Sequence, residues 1–179
     1  GRMKPCREPR CYALVPCAGT GSRAGTAKPK QYTALAGRAL VLHTLDALRA
    51  VPRLAHVLVV IAPDDGQWAG LNAPDDARTS VAPCGGDTRA ASVFQGLSAL
   101  VSLGAQANDW VLVHDAARPN LARTDLDLLL RELADDPVGG LLAVPARDTL
   151  KRVGSDGRVL ETVDRAAIWQ AYTPQMFRL

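Results

Sequence analysis

Short, continuous apolar runs separated by amphipathic stretches constrain this chain more than any other feature. Residues 12–16, 56–61, 79–82, 110–114 and 140–144 are brief and rich in Val, Leu and Ala. Such runs suit strands buried on both faces of a parallel sheet. Helical patterns lie between them. Residues 40–50 align Leu42, Leu45, Ala47 and Leu48 on one face, and 89–103 align Val93, Leu97, Leu100 and Val101 behind Asp87 or Thr88 as N-cap. Residues 124–133 open on a threonine expected to cap the helix, followed by two aspartates that favour its positive end. This alternation predicts an α/β layer fold with a mainly parallel sheet. A chain of 179 residues accommodates one such domain, spanning 1–179.

After Val144 the pattern changes. Residues 149–153, a polar turn at 154–157 and residues 158–163 read as a β-hairpin. Its strands lack a strong apolar face, so the segment 146–164 is expected to project as an arm. A hairpin with so little core needs a partner surface.

Composition excludes several functions. The net charge is +3, the arginines are scattered, and aromatics do not alternate with cations, so a nucleic-acid surface is not expected. No apolar run reaches the length of a membrane span, and no signal-peptide pattern opens the chain. Cys6, Cys11, Cys17 and Cys84 match no zinc spacing and have no histidine nearby in sequence. They read as reduced thiols of a cytoplasmic protein. Cys17, at the mouth of a glycine loop, reads as a small space-filling residue rather than a reactive one.

Ligands of open parallel sheets bind at the carboxyl ends of the strands, and the chemistry-bearing motifs all fall there. Behind the first strand, Gly19 and Gly21 allow backbone N–H groups to face an anion. Arg23, Lys28 and Lys30 add cations, and two of the chain's four lysines lie in this loop. The combination suits a triphosphate. A P-loop is absent. The dinucleotide fingerprint is formally met by Gly19, Gly21 and Ala24, but Gly25 and Pro29 interrupt the helix it requires, and the next acidic residue, Asp46, falls mid-helix. A nicotinamide-dependent oxidoreductase is therefore the weaker alternative.

Gly85, Gly86 and Asp87 follow the third strand. Asp87 suits an exocyclic amine such as cytosine N4, or equally the cap of a glycine turn. Asp115 follows the fourth strand, where a carboxylate can hold Mg²⁺ with nucleotide phosphates or simply pair with Arg118. His114 reads as a packed strand-end residue rather than a catalyst.

Taken in order, six motifs carry a resemblance: Ala18-Gly19-Thr20-Gly21-Ser22-Arg23 with Pro29-Lys30-Gln31-Tyr32, Gly85-Gly86-Asp87-Thr88-Arg89, Val113-His114-Asp115-Ala116-Ala117-Arg118-Pro119, Arg147-Asp148-Thr149-Leu150-Lys151, Thr162-Val163-Asp164-Arg165 and Thr173-Pro174-Gln175. From about Tyr12 to the last residue the chain resembles the 2-C-methyl-D-erythritol 4-phosphate cytidylyltransferases. The resemblance implies a three-layer, Rossmann-like nucleotidyltransferase fold with a projecting arm, and transfer of CMP from CTP to a polyol phosphate. It implies Arg23 and Lys30 as catalytic cations, with Cys17, Ala18, Gly19, Gly21, Gly86, Asp87 and Ser92 around the nucleotide and Arg89 supporting that loop. Asp115 would lie near Mg²⁺ and the sugar phosphate, Arg118, Thr149 and Thr173 would hold the substrate, and Arg165 would reach the active site of the other subunit in a homodimer.

Three departures accompany the resemblance. Cys17 stands where the family usually has alanine, Lys28 is an additional cation, and the family continues beyond the position of Leu179 with a nucleotide-contacting lysine and sheet-closing helices. A ribitol 5-phosphate cytidylyltransferase shares the nucleotide motifs, but the pieces at 147–149 and 162–165 favour methylerythritol phosphate. A non-catalytic nucleotide-binding remnant is the other alternative.

Overall fold

A computed structural model describes residues 7–20 and 28–179. In chain order the strands are β1 (Cys11–Pro16), β2 (Ala34–Leu35), β3 (Arg38–Ala39), β4 (Leu54–Val60), β5 (Thr79–Ala82), β6 (Trp110–Val113), β7 (Gly139–Pro145), β8 (Leu150–Val153), β9 (Val159–Val163) and β10 (Trp169–Arg178). The helices are α1 (Leu40–Arg49), α2 (Arg89–Ser102) and α3 (Arg123–Glu132). Six strands form one sheet in the order β5-β4-β1-β6-β10-β7. Strands β5, β4, β1 and β6 run parallel, and β10 is antiparallel to both of its neighbours. The mainly parallel α/β sheet expected from the sequence is thus present.

The sheet is covered on both faces, which explains the apolar continuity of its strands. On one face Ala13 and Val15 of β1 meet Val57 and Val59 of β4 beneath Leu42, Leu45 and Leu48 of α1 and Leu126, Leu129 and Leu130 of α3. On the other, Tyr12, Leu14, Leu58 and Val60 pack under Leu97 and Leu100 of α2. Gly96 brings α2 close, because a Cβ there would stand 2.4 Å from a methyl of Leu14. The five expected strands and three helices agree with the observed ones to within two residues at each end.

One local expectation requires correction. Thr124 does not cap α3; that helix starts at Arg123 behind Ala122, without a side-chain cap. Of the two caps offered for α2, Thr88 serves, its hydroxyl accepting from Ala91 N at 3.0 Å. Strand β10 carries no continuous apolar run, since only Pro174 and Met176 within it are buried. Pro174 falls where pairing with β7 is interrupted, between Ala171 and Gln175, so its missing N–H removes no regular ladder bond.

The hairpin β8–β9 forms its own two-stranded sheet outside the main one. Val153, Val159 and Leu160 on it are largely exposed. Its base returns to the sheet through Ala146 N, which donates to Ile168 O at 2.9 Å. No helix among the described residues is long and apolar enough to cross a membrane.

Candidate active site

Two clefts open at the carboxyl ends of the parallel strands, where the ends of β1, β4, β5 and β6 converge. One, of about 780 Å³, is lined by residues 17–20 after β1, by Gly85, Gly86, Asp87 and Arg89, and by Ser92 of α2. The other, of about 860 Å³, is lined by His114, Arg118 and residues 119–122, by β7 and by Tyr172 and Thr173 of β10. Lys30, Asp115 and Ala117 line both. These shared residues form the seam between the two clefts.

The first cleft is held in shape by backbone contacts. Gly85 N donates to Ile61 O at 2.8 Å. A Cβ on Gly85 would lie 2.3 Å from that of Ala18, and one on Gly86 would lie 2.6 Å from that of Ala91. Gly85 therefore lets its loop close on the loop after β1, and Gly86 lets it close on the first turn of α2. Ser92 is buried, and its hydroxyl accepts from Gly86 N at 3.1 Å and donates to Gly86 O at 3.2 Å. It reaches the cleft through that peptide.

Behind the loop after β1 lies a polar cluster that no periodicity announces. Gln31 donates to Cys17 O at 3.1 Å and to Gly19 O at 2.8 Å. The Tyr32 hydroxyl donates to Asp65 Oδ2, and Asp65 Oδ1 accepts from the backbone N–H groups of Gln67 and Trp68. Burial alone would raise the Asp65 pKa, but these hydrogen bonds outweigh it and hold the carboxyl below its ordinary value. Cys17 is buried against Tyr32, and burial pushes its thiol up to about 12, which fits the space-filling reading.

At the seam, both carboxylate oxygens of Asp115 are engaged. Arg89 Nε donates to Oδ1 and Arg118 Nε to Oδ2, each at 2.9 Å. The two arginine side chains are about half exposed, so each has room to turn toward a phosphate. His114 is buried as a strand-end residue, its ring between Arg118 O and Thr173 Oγ1. Burial lowers its pKa most, so the ring is neutral at pH 7.

Of the residues singled out from the sequence, Cys17, Ala18, Gly19, Lys30, Gly86, Asp87, Arg89, Ser92, Asp115, Arg118 and Thr173 come together in these clefts. Thr149 and Arg165 do not; both are exposed on the arm and line neither cleft. Gly21 and Arg23 lie outside the described residues.

A glycine-lined cleft at the carboxyl ends of a parallel sheet, with Lys30 and Arg89 set among carboxylates, defines a Rossmann-like nucleotide-binding class. Residues 11–179 match the family model of 2-C-methyl-D-erythritol 4-phosphate cytidylyltransferase. A protein of that name from Pseudomonas putida (strain GB-1) is 60% identical over 171 residues, covering 96% of this chain and 72% of the relative. The Pseudomonas aeruginosa PAO1 protein of the same name is 58% identical, with 73% of its length covered. A crystal structure of 4-diphosphocytidyl-2C-methyl-D-erythritol synthase superposes with a TM-score of 0.84 at 34% identity, covering 96% of this chain and 76% of that one. The Francisella tularensis 2-C-methyl-D-erythritol 4-phosphate cytidylyltransferase gives 0.78 at 32%, covering 94% and 72%. The chain belongs to the 2-C-methyl-D-erythritol 4-phosphate cytidylyltransferase family.

Proposed function

We propose that this chain transfers CMP from CTP to 2-C-methyl-D-erythritol 4-phosphate, releasing pyrophosphate, in isoprenoid precursor synthesis. The observation that carries the reading is the seam: one cation, Lys30, and one carboxylate, Asp115, belong to both clefts. A nucleotide in the first cleft and a polyol phosphate in the second would meet there.

The substrate phosphate attacks the α-phosphorus of CTP in line, and pyrophosphate leaves. Negative charge grows on the non-bridging oxygens, so fixed cations aimed at them lower the barrier. Lys30 fills that role from the seam, and Arg23 joins it by resemblance. Asp87 lies in the first cleft, where its carboxylate accepts from the cytosine amine, while the peptides of residues 17–19 and Gly86 frame the base. Arg118 and Thr173 hold the polyol phosphate in the second cleft, and Arg89 exchanges its contact with Asp115 for a phosphate oxygen.

Magnesium requires hard oxygen donors and commonly takes one or two protein carboxylates together with substrate phosphates. Among the described residues no group of three or more His, Cys, Asp or Glu side chains is placed to hold a metal. The single carboxylate of Asp115, at the seam, fits an ion shared with phosphates instead. Asp115 would hold Mg²⁺ together with substrate phosphates, and the bound ion would offset charge on the leaving pyrophosphate.

We propose further that the arm joins a second copy of the chain. Val153, Val159 and Leu160 lack cover on it, and a symmetric pairing would bury them. Thr149 and Arg165, which line neither cleft of their own chain, would then serve the neighbour's site. The reading is tested by mass detection of the cytidine diphosphate adduct after incubation with CTP, Mg²⁺ and either methylerythritol phosphate or ribitol 5-phosphate. Adduct with the first and little with the second is expected; preference for ribitol phosphate would replace the substrate assignment.

A further inference from the structure

Gln31 is almost fully buried and lies one residue after Lys30 in the short 3-10 turn Lys30–Tyr32. A side-chain amide has two N–H groups, and both are engaged here, with Cys17 O at 3.1 Å and Gly19 O at 2.8 Å. In a trans peptide the carbonyl of one residue and the N–H of the next point in opposite directions. Fixing the carbonyls of Cys17 and Gly19 toward buried Gln31 therefore turns the N–H groups of Ala18 and Thr20 the other way. Ala18 and Thr20 both line the first cleft, as does Gln31.

We infer that Gln31 is a positioning residue that presents the Ala18 and Thr20 amides to the nucleotide and locks Lys30 to the same loop. The inference rests on the nucleotide reading of the first cleft. The 3-10 turn is closed by Tyr32 N to Pro29 O and Thr33 N to Lys30 O, each at 3.0 Å, so Lys30 and Gln31 move as a unit. On the far side Tyr32 is tied to Asp65. A displaced Gln31 would free the loop and shift the cation at the seam together.

The test compares Gln31→Glu, which has no donor to offer the two carbonyls, with Gln31→Met, which keeps the length and removes the polarity. Binding of CTP is measured by calorimetry, and KM for each substrate is measured separately. CTP should bind about tenfold more weakly or worse in both variants, from loss of two hydrogen bonds, and KM for the polyol phosphate, whose cleft shares only Lys30 with that loop, should rise by a smaller factor. CTP affinity equal to that of the parent, or KM for the polyol phosphate rising as much as KM for CTP, would overturn the inference. A parent that binds no CTP would instead overturn the nucleotide reading itself. The parent supplies a check that needs no variant. On adding CTP, the Ala18 and Thr20 amide proton resonances should move downfield while the Gln31 side-chain amide protons stay put. Unmoved Ala18 and Thr20 resonances in the CTP-bound parent would equally count against the proposal.

Discussion

His114 Nδ1 lies 2.9 Å from Thr173 Oγ1, joining the end of β6 to the interrupted stretch of β10 across the floor of the second cleft. The opposite ring nitrogen, Nε2, faces Arg118 O at 2.9 Å, and a carbonyl can only accept. Nε2 therefore carries the proton, and Nδ1 accepts from the threonine hydroxyl. That hydroxyl in turn accepts from Asp115 N at 3.4 Å. One buried imidazole thus fixes the backbone of Asp115 and Arg118 and the side chain of Thr173.

Thr173→Val removes the hydroxyl and leaves Nδ1 without its donor. An unsatisfied buried acceptor costs about 1–3 kcal/mol. Urea denaturation should show a loss of that order, accompanied by a rise in KM for the polyol phosphate. Thr173→Ser should restore both. Equal behaviour of the serine and valine variants would contradict the hydroxyl's role.

Stability should fall on mild acidification. His114 and His56 both have pKa values lowered chiefly by burial. A depressed base binds fewer protons in the folded state than in the unfolded one, so its contribution is present above the unfolded value of about 6.5 and is lost as pH drops below it. Asp65 and Asp109 are held below 3.8 and affect stability only in stronger acid. The unfolding free energy should therefore decline between pH 7 and pH 5, by at most about 1.4 kcal/mol per pH unit for each histidine. A flat profile over that interval would show that both rings titrate normally.

Lys30→Ala should reduce kcat by about 10²–10³ with little change in Tm, as expected for loss of one preorganised group aimed at developing charge. Arg23→Ala is expected to behave likewise. Turnover within a few-fold of the parent would remove either residue from the catalytic set.

Much of this architecture was legible because burial on both faces leaves a simple trace. β1, β4 and β6 are almost wholly apolar, and α1 and α2 repeat at helical spacing. β10 was not legible: its first half is exposed, Pro174 interrupts it, and the strand's place is set by pairing with β6 and β7 rather than by its own pattern. In the site, the loops at Gly19, Gly86 and Asp115 stood out through glycine and charge. The supporting work of Gln31, Asp65 and His114 did not, because a hydrogen bond to a distant carbonyl imposes no local composition. Thr124 misled because Ser, Thr and Asp also occur inside first turns, and here the chain enters the helix one residue earlier.

If Arg165 serves the neighbouring site, Arg165→Ala and Lys30→Ala chains should complement each other. Each homogeneous preparation should be nearly inactive. A mixed dimer carries one site with both residues intact, so activity should return after subunit exchange. Confirmed exchange without recovery, or a fully active monomer by light scattering, would contradict the arm's proposed function.

The central claim is that the first cleft holds CTP for attack by a polyol phosphate, and base choice tests it most directly. Pyrophosphate release is measured with 2-C-methyl-D-erythritol 4-phosphate, Mg²⁺ and either CTP or UTP at matched concentrations. Uracil presents an acceptor where cytosine presents the amine, so Asp87, exposed in the cleft until a base covers it, would face an oxygen, at a cost of about 1–3 kcal/mol. The account predicts kcat/KM for CTP at least about tenfold above that for UTP, with Asp87→Ala narrowing the gap. Equal use of the two nucleotides by the parent chain would contradict it.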